Sequence, residues 1–363
     1  MIIQRLETYT KDPLSFVRVV TDDGAEGMGQ MSTYNADISA QVFHRQVAPV
    51  ALGADAEDID ALVDHVIEET YKFPGSYVCR ALTGLDTALW DLKGELEGKS
   101  VCELLGGKPR PLMPYGSSMR RDITPEAEAE RLLRLREEYG YRSFKIRVGK
   151  VTGHDEDQWP GRTEALVPTV REALGDDVDL KVDGNSCYTP DKAIEVAHLL
   201  KENDVSHFEE PCPYWELYWT ARVTRFQDVP VAGGEQDYDL KQWERITWMH
   251  AVDIAQPDIC YIGGMSRALR AAEMAAKAGM PCVPHSANRS LVTVFTLHLL
   301  GAISNAGPHF EFSIEETPWT DDLFSPALEV NDGYVDIPAG PGWGVEINPE
   351  WLASAEREIS ELS

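Results

Sequence analysis

Apolar and polar positions change rhythm along this chain. Near the start, Phe16 to Val20 reads as a strand and Asp23-Gly24 carries turn chemistry, so the stretch 14–31 predicts a hairpin. Helical patterns follow at 36–50, 57–70 and 76–97, the last with Ala81, Leu82, Leu85, Ala88, Leu89 and Leu92 at helical spacing. Strands followed by helices predict an α+β domain over 1–111. From 112 the rhythm becomes strand, helix, strand, helix. The predicted strands are Leu112–Ser117, Ser143–Val148, Val178–Val182, Ser206–Glu209, Pro230–Ala232, Asp253–Gln256, Cys282–Pro284 and His309–Phe312. Amphipathic stretches such as Ala193–Asn203 and Ser266–Ala278 separate most of them. Eight strands at this spacing suit an α/β barrel over 112–325 better than an open doubly wound sheet. No Gly-x-Gly-x-x-Gly follows a strand and no Walker loop is present, so a dinucleotide fold lacks its phosphate cradle. After Phe312 the barrel rhythm stops. Pro338 to Gly344 is rich in turn residues, and 326–363 is predicted to pack back on the first domain.

Three acidic residues stand at the ends of three of these strands. They are Asp183 in Leu-Lys-Val-Asp-Gly-Asn, Glu209 in His-Phe-Glu-Glu-Pro and Glu235 in Val-Ala-Gly-Gly-Glu, each 26 residues from the next. In a barrel of repeated strand-helix units, all strand C-termini meet at one face, so these carboxylates converge. Converging carboxylates repel one another unless a cation sits between them, and hard oxygen ligands favour Mg²⁺. The pattern predicts a magnesium-dependent enzyme.

Residues two apart on a strand share a side. In Ser143–Val148, Phe144, Ile146 and Val148 must pack against outer helices, so Lys145 and Arg147 point into the barrel. Asp258 follows the sixth predicted strand and His285 the seventh. An Asp258–His285 hydrogen bond would orient the imidazole and raise its basicity, which makes the pair a candidate catalytic dyad. Asn288 and Arg289 lie in the next loop. Glu311 alternates with Phe310 and Phe312 and points inward.

Charge narrows the partners. With 61 acidic and 33 basic residues the formal charge is −28, which argues against nucleic acid and against anionic membranes. An acidic surface repels an anionic substrate, so an anion site must bring its own positive charge. Met1 to Thr8 lacks the pattern of a signal peptide, and no run is long and apolar enough to span a membrane. The six cysteines form no Cys-x-x-Cys pair and suit reduced thiols, so a cytoplasmic location is expected.

The ordered set resembles the enolase superfamily in its mandelate racemase and muconate lactonizing subgroup. It comprises Ala88-Leu89-Trp90-Asp91-Leu92 with Leu104-Leu105-Gly106-Gly107, then Lys-x-Arg on the second strand, Val-Asp-Gly-Asn, Phe-Glu-Glu-Pro, Gly-Gly-Glu and the Asp258/His285 pair. The resemblance covers essentially the whole chain. It implies an α+β cap over a (β/α)₇β barrel, with the C-terminal segment returning to the cap. It implies that Asp183, Glu209 and Glu235 ligate Mg²⁺ and that Glu210 is a neighbour rather than a ligand. It implies abstraction of the proton α to a carboxylate through an enediolate, which Mg²⁺ stabilises. One departure matters: the subgroup usually has Lys-x-Lys, and its second Lys is a base. Arg147 stands there, and a guanidinium is a poor proton acceptor. That leaves His285 with Asp258 as the base and Arg147 as an anion binder, with a two-base mechanism still open through Lys145. The expected function is dehydration of a sugar acid to a 2-keto-3-deoxy acid; the alternative is a racemase, epimerase or cycloisomerase of a sugar acid, hydroxy acid or lactone. Asn185, Asn288, Glu311 and Tyr34 are the expected contacts to a small carboxylate substrate, with the loop Met31–Asp37 as a mobile lid. A homo-oligomer is expected.

Overall fold

The computed structural model describes residues 1–362. Strands Ile3–Lys11, Leu14–Thr21 and Glu26–Gln30 form an antiparallel meander. The C-terminal strand Glu356–Glu361 pairs with the free side of Ile3–Lys11, so the chain's two ends share one sheet. The helix Ser76–Glu97 lies on this sheet and stops at Gly98, whose φ of 63° only a residue without Cβ adopts cheaply. The strand Glu26–Gln30 carries Gly27 and Gly29 for a different reason. A Cβ on Gly27 would stand 2.2 Å from the carbonyl oxygen of Ala88, and one on Gly29 2.4 Å from its nitrogen. Bare backbone is what lets strand and helix touch. The helical pattern at 57–70 forms Ile59–Glu69, capped by the Asp58 side chain, and that at 36–50 forms a run broken by a π turn over Phe43–Val47.

The second unit is a parallel barrel. Its strands run Pro114–Ser117, Ser143–Arg147, Asp179–Asp183, Val205–Glu209, Val231–Gly233 and Ile254–Ala255, and Phe310–Ser313 pairs with Pro114–Ser117 to bring the sheet round. The expected strand Cys282–Pro284 is reduced to a bridge at Cys282, which joins Ala255 on one side and Ala306 on the other. Pro281 and Pro284 lack the N–H that a longer ladder needs. The expected first strand also divides. Leu112, with Pro111, pairs antiparallel with Val335–Asp336 of the tail, and only Pro114 onward enters the barrel. The helix Leu291–Ala302 is buried nearly all round, against the usual one-sided pattern, because it is sandwiched between barrel and cap. The tail's Trp343 packs tilted against Phe295, ring centres 4.4 Å apart, and donates to the Thr87 carbonyl at 2.9 Å, tying barrel helix, cap helix and tail together. No helix among the described residues is long and apolar enough to cross a membrane, and all six cysteines are buried and unpaired.

Candidate active site

Sheet register builds the site. Arg147, Asp183 and Glu209 are neighbours across three adjacent strands, and Lys145, Lys181 and His207 form the layer beneath. Every inward side chain here is buried, Lys145 completely. Lys145 Nζ lies 2.5 Å from Glu209 Oε1, 2.8 Å from Glu311 Oε1 and 3.7 Å from Asp183 Oδ2. Arg147 pairs with Asp183, donates to Asn185 Oδ1 at 3.0 Å and to the Ser118 carbonyl at 2.9 Å. The Asn185 amide donates back to Asp183 Oδ2 at 3.2 Å. Glu311 points inward as expected, held also by Ser117 Oγ and by the Ser286 backbone N–H, each at 2.8 Å.

Across the mouth, His285 Nδ1 meets Asp258 Oδ2 at 2.7 Å, and Nε2 lies 3.4 Å from Glu235 Oε2. The other Asp258 oxygen accepts the Tyr261 N–H at 3.0 Å, capping the short helix Ile259–Ile262, so the carboxylate is fixed before it meets the imidazole. A donor bond from Nδ1 to a carboxylate leaves Nε2 as the nitrogen that exchanges protons.

The electrostatics are unbalanced. Burial alone would raise Glu209, yet Lys145, His207 and Arg147 hold it well below the usual carboxylate range. Glu311 is likewise drawn down to about 2 by Lys145 and His285 against the cost of burial. Glu210 is pushed well above its ordinary value by burial and by Glu235 and Glu209, and Glu235 is raised by burial with Glu209 adding to it. Burial would lower His285, but Glu235 and the Asp258 hydrogen bond outweigh it and lift the imidazole to about 10.

Two of the expected contacts, Tyr34 and Asn288, lie at the cap loop. Tyr34 is 56% exposed, and its backbone N–H is tied to the Pro13 carbonyl at 2.8 Å. Met31, Ser32, Thr33 and Ala36 of that loop are buried, and Asn288 reaches the Thr33 hydroxyl at 3.4 Å. Arg80 pins Ser32 at 2.5 Å and lies 3.6 Å over the Tyr261 ring, itself 5.8 Å from the His285 ring. A cavity of about 660 Å³ opens beside Tyr141, Arg289 and Glu315 and takes in none of the carboxylate cluster, so polar geometry rather than open volume marks the site.

Both parts of the chain match known families. Residues 3–106 match the mandelate racemase / muconate lactonizing enzyme N-terminal domain, and 127–351 match the enolase C-terminal domain-like family. The chain belongs to the enolase superfamily. Arabinonate dehydratase of Saccharolobus solfataricus is 30% identical over 354 residues, covering 94% of this chain and 91% of that protein. A crystal structure from Roseobacter denitrificans, of a protein provisionally described as a racemase, is 56% identical, covers 100% of both chains and superposes with a TM-score of 0.98. A mandelate racemase/muconate lactonizing protein from Paracoccus denitrificans complexed with magnesium is 28% identical, with 100% of this chain and 98% of that one covered and a TM-score of 0.88.

The residues of this enolase-superfamily site fit a divalent cation. Asp183, Glu209, Glu235, Glu210, Glu311 and Asp258 gather round Lys145, Arg147 and His285, with His207 Nε2 3.5 Å from Glu209 Oε2, and every one is buried. Glu210 Oε1 and Gln256 Oε1 are buried oxygens without a hydrogen-bond partner. As arranged here, no three His, Cys, Asp or Glu side chains among the described residues stand in metal-ligating geometry, because the cationic side chains hold their oxygens. Gln256, which donates to Glu209 Oε2 at 2.7 Å, was missed from the sequence, as were Lys181 and His207. For the last two the signal was present: they share strand parity with Asp183 and Glu209.

Proposed function

We propose that the chain dehydrates a sugar acid to a 2-keto-3-deoxy acid. The observation that carries this reading is the asymmetry of its two proton-handling faces. On one, Asp258 holds His285 at 2.7 Å with Nε2 turned to the carboxylates. On the other, the strand-two position carries the Arg147 guanidinium, which does not accept a proton near neutrality. One base suffices for elimination. His285 Nε2 takes the proton from the carbon next to the substrate carboxylate, and the imidazolium returns it to the hydroxyl leaving from the adjacent carbon on the same side. The C–H and C–O bonds break, a C=C bond forms, water departs, and the enol product tautomerises to the 2-keto acid. Asp258 keeps the ring oriented and balances its charge. Lys145 and Arg147 face the negative charge that grows on the substrate carboxyl. Mg²⁺ held by Asp183, Glu209 and Glu235 would supply the larger part of that stabilisation and would take up the Glu235 charge that lifts His285, freeing Nε2 to accept a proton near neutrality. The named activity of the Saccharolobus protein and the magnesium of the Paracoccus structure support the reading.

Racemisation or epimerisation is the second reading. The description of the Roseobacter protein favours it, as does Lys145, an amine in the same cluster. Purified protein with Mg²⁺, assayed against aldonic and aldaric acids, separates the two. Keto acid trapped by semicarbazide is the expected outcome; a change of optical rotation without keto acid would replace the first reading by the second.

A further inference from the structure

The loop after the first barrel strand carries two adjacent arginines that behave differently. Arg120 is exposed and paired with Asp122 at 2.6 and 3.0 Å. Arg121 turns toward the site. Its Nε donates to the Gly149 carbonyl at 3.1 Å, and its Nη2 donates to the Val148 carbonyl at 3.2 Å and to Asn185 Oδ1 at 2.8 Å. That amide oxygen is the one Arg147 also uses, at 3.0 Å. Behind them Arg162, buried, donates to the Arg147 carbonyl at 2.8 Å. Three guanidiniums therefore crowd one corner of the mouth. Only Arg147 has a carboxylate: among the described residues no acidic oxygen lies within 4.0 Å of Arg121 or Arg162.

This is an odd place to economise on counter-ions, since the chain carries 61 acidic residues. Holding two carbonyls and an amide oxygen needs N–H donors but no charge, and a neutral Gln supplies donors. The charge on Arg121 is unused by the protein, and the cost of gathering like charges is visible: burial, then Arg147 and Arg162, push its guanidinium down to about 9. Arg121 is also partly accessible, unlike Arg147, so a ligand in the mouth can reach it.

We propose that Arg121, joined to Arg147 through Asn185, is an anion subsite for a second carboxylate of the substrate, so that the preferred substrates are dicarboxylic sugar acids rather than monocarboxylic ones. The planar fork of a guanidinium matches a carboxylate. This inference rests on the sugar-acid reading above, and its test keeps the two apart. Hexaric and hexonic acids matched in configuration from C2 to C5 are compared for kcat/KM and, by calorimetry with Mg²⁺, for binding. A 6-phosphohexonate is included, so that a preference for phosphate would show itself. The wild type should favour hexarates. Arg121→Gln should lower the hexarate-to-hexonate ratio about tenfold to a hundredfold, mostly through KM, as loss of a charge-assisted pair implies. Arg121→Lys should recover part of that ratio and controls for folding. A wild type that prefers hexonates or phosphohexonates, or an Arg121→Gln protein that loses both acids in equal proportion, overturns the subsite. Absence of any turnover with a hexarate binding preference that Arg121→Gln abolishes would uphold the subsite and overturn the dehydratase reading.

Discussion

On the side of the mouth formed by the sixth and seventh strands, the cap does the holding; on the side formed by the second and third, arginines of the barrel itself do. Cap residues even supply caps to barrel helices. Asp86 accepts the Met265 N–H at 2.5 Å and the Ser266 N–H at 3.3 Å at the start of Met265–Lys277, whose own N-cap is Gly264. Gln30 accepts the Leu291 N–H at 2.9 Å at the start of Leu291–Ala302. Thr83 donates to the Cys260 carbonyl at 3.1 Å, beside the Tyr261 that Arg80 covers. On the opposite side, the end of Ser143–Arg147 is gripped by Arg162 and Arg121. The difference follows the chemistry proposed for each side. A dyad that must gain and lose a proton in one orientation is braced from two domains. A face that only presents charge needs fixed cations and gets them from nearby loops.

Breaking the braced side should have the larger effect. Asp258→Asn removes the charge and the tautomer control of His285, and kcat should fall about a hundredfold. Steady-state rates for this variant with the substrate found in the acid-sugar screen test that. On the cationic side, Arg147→Lys keeps the charge and loses the fork to Asp183 and Asn185. It should lower kcat/KM about tenfold, with slow α-proton exchange appearing from that face, since a lysine restores a group that can accept a proton. No new exchange on that face would mean that the position itself, and not its guanidinium, keeps it silent.

The smallest effect concerns the joint alone. Burial pushes Asp86 up to about 7, against the helix N–H groups that lower it. In the unfolded chain its value is about 3.9. The folded state therefore binds more protons between those values, so this contribution is complete below about pH 4 and is lost as the pH rises through 7. The melting temperature should decline across that window, and Asp86→Asn should flatten the decline while costing about 1 kcal/mol for the weakened cap. An unchanged slope in the variant would remove Asp86 from the account.

Much of the site was legible because strand parity is local. Lys145, Arg147 and Glu311 were assigned inward from their apolar neighbours alone, and they are inward. What escaped depends on distant parts of the chain. Arg121 and Asn185 are 64 residues apart, and no spacing rule announces that they meet. Leu112 and Pro114 belong to one apolar run but to different sheets, because the tail at Val335 captures the first. Gly27 and Gly29 have no stated role in the sequence until the helix behind them is placed. Tyr34 is expected at the substrate, whereas the fold leaves it exposed and buries the smaller Ser32 beside Arg80 and Thr33 beside Asn288.

The central claim is that one base, on the braced side, does the proton transfer. It is tested by His285→Asn in D₂O with Mg²⁺ and the true substrate, following both keto-acid formation and deuterium entry at the α carbon. The account predicts that both fall by about a thousandfold or more while substrate and metal still bind. Exchange at the wild-type rate would place the base on the strand-two face, at Lys145 or Arg147, and the one-base mechanism would have to be given up.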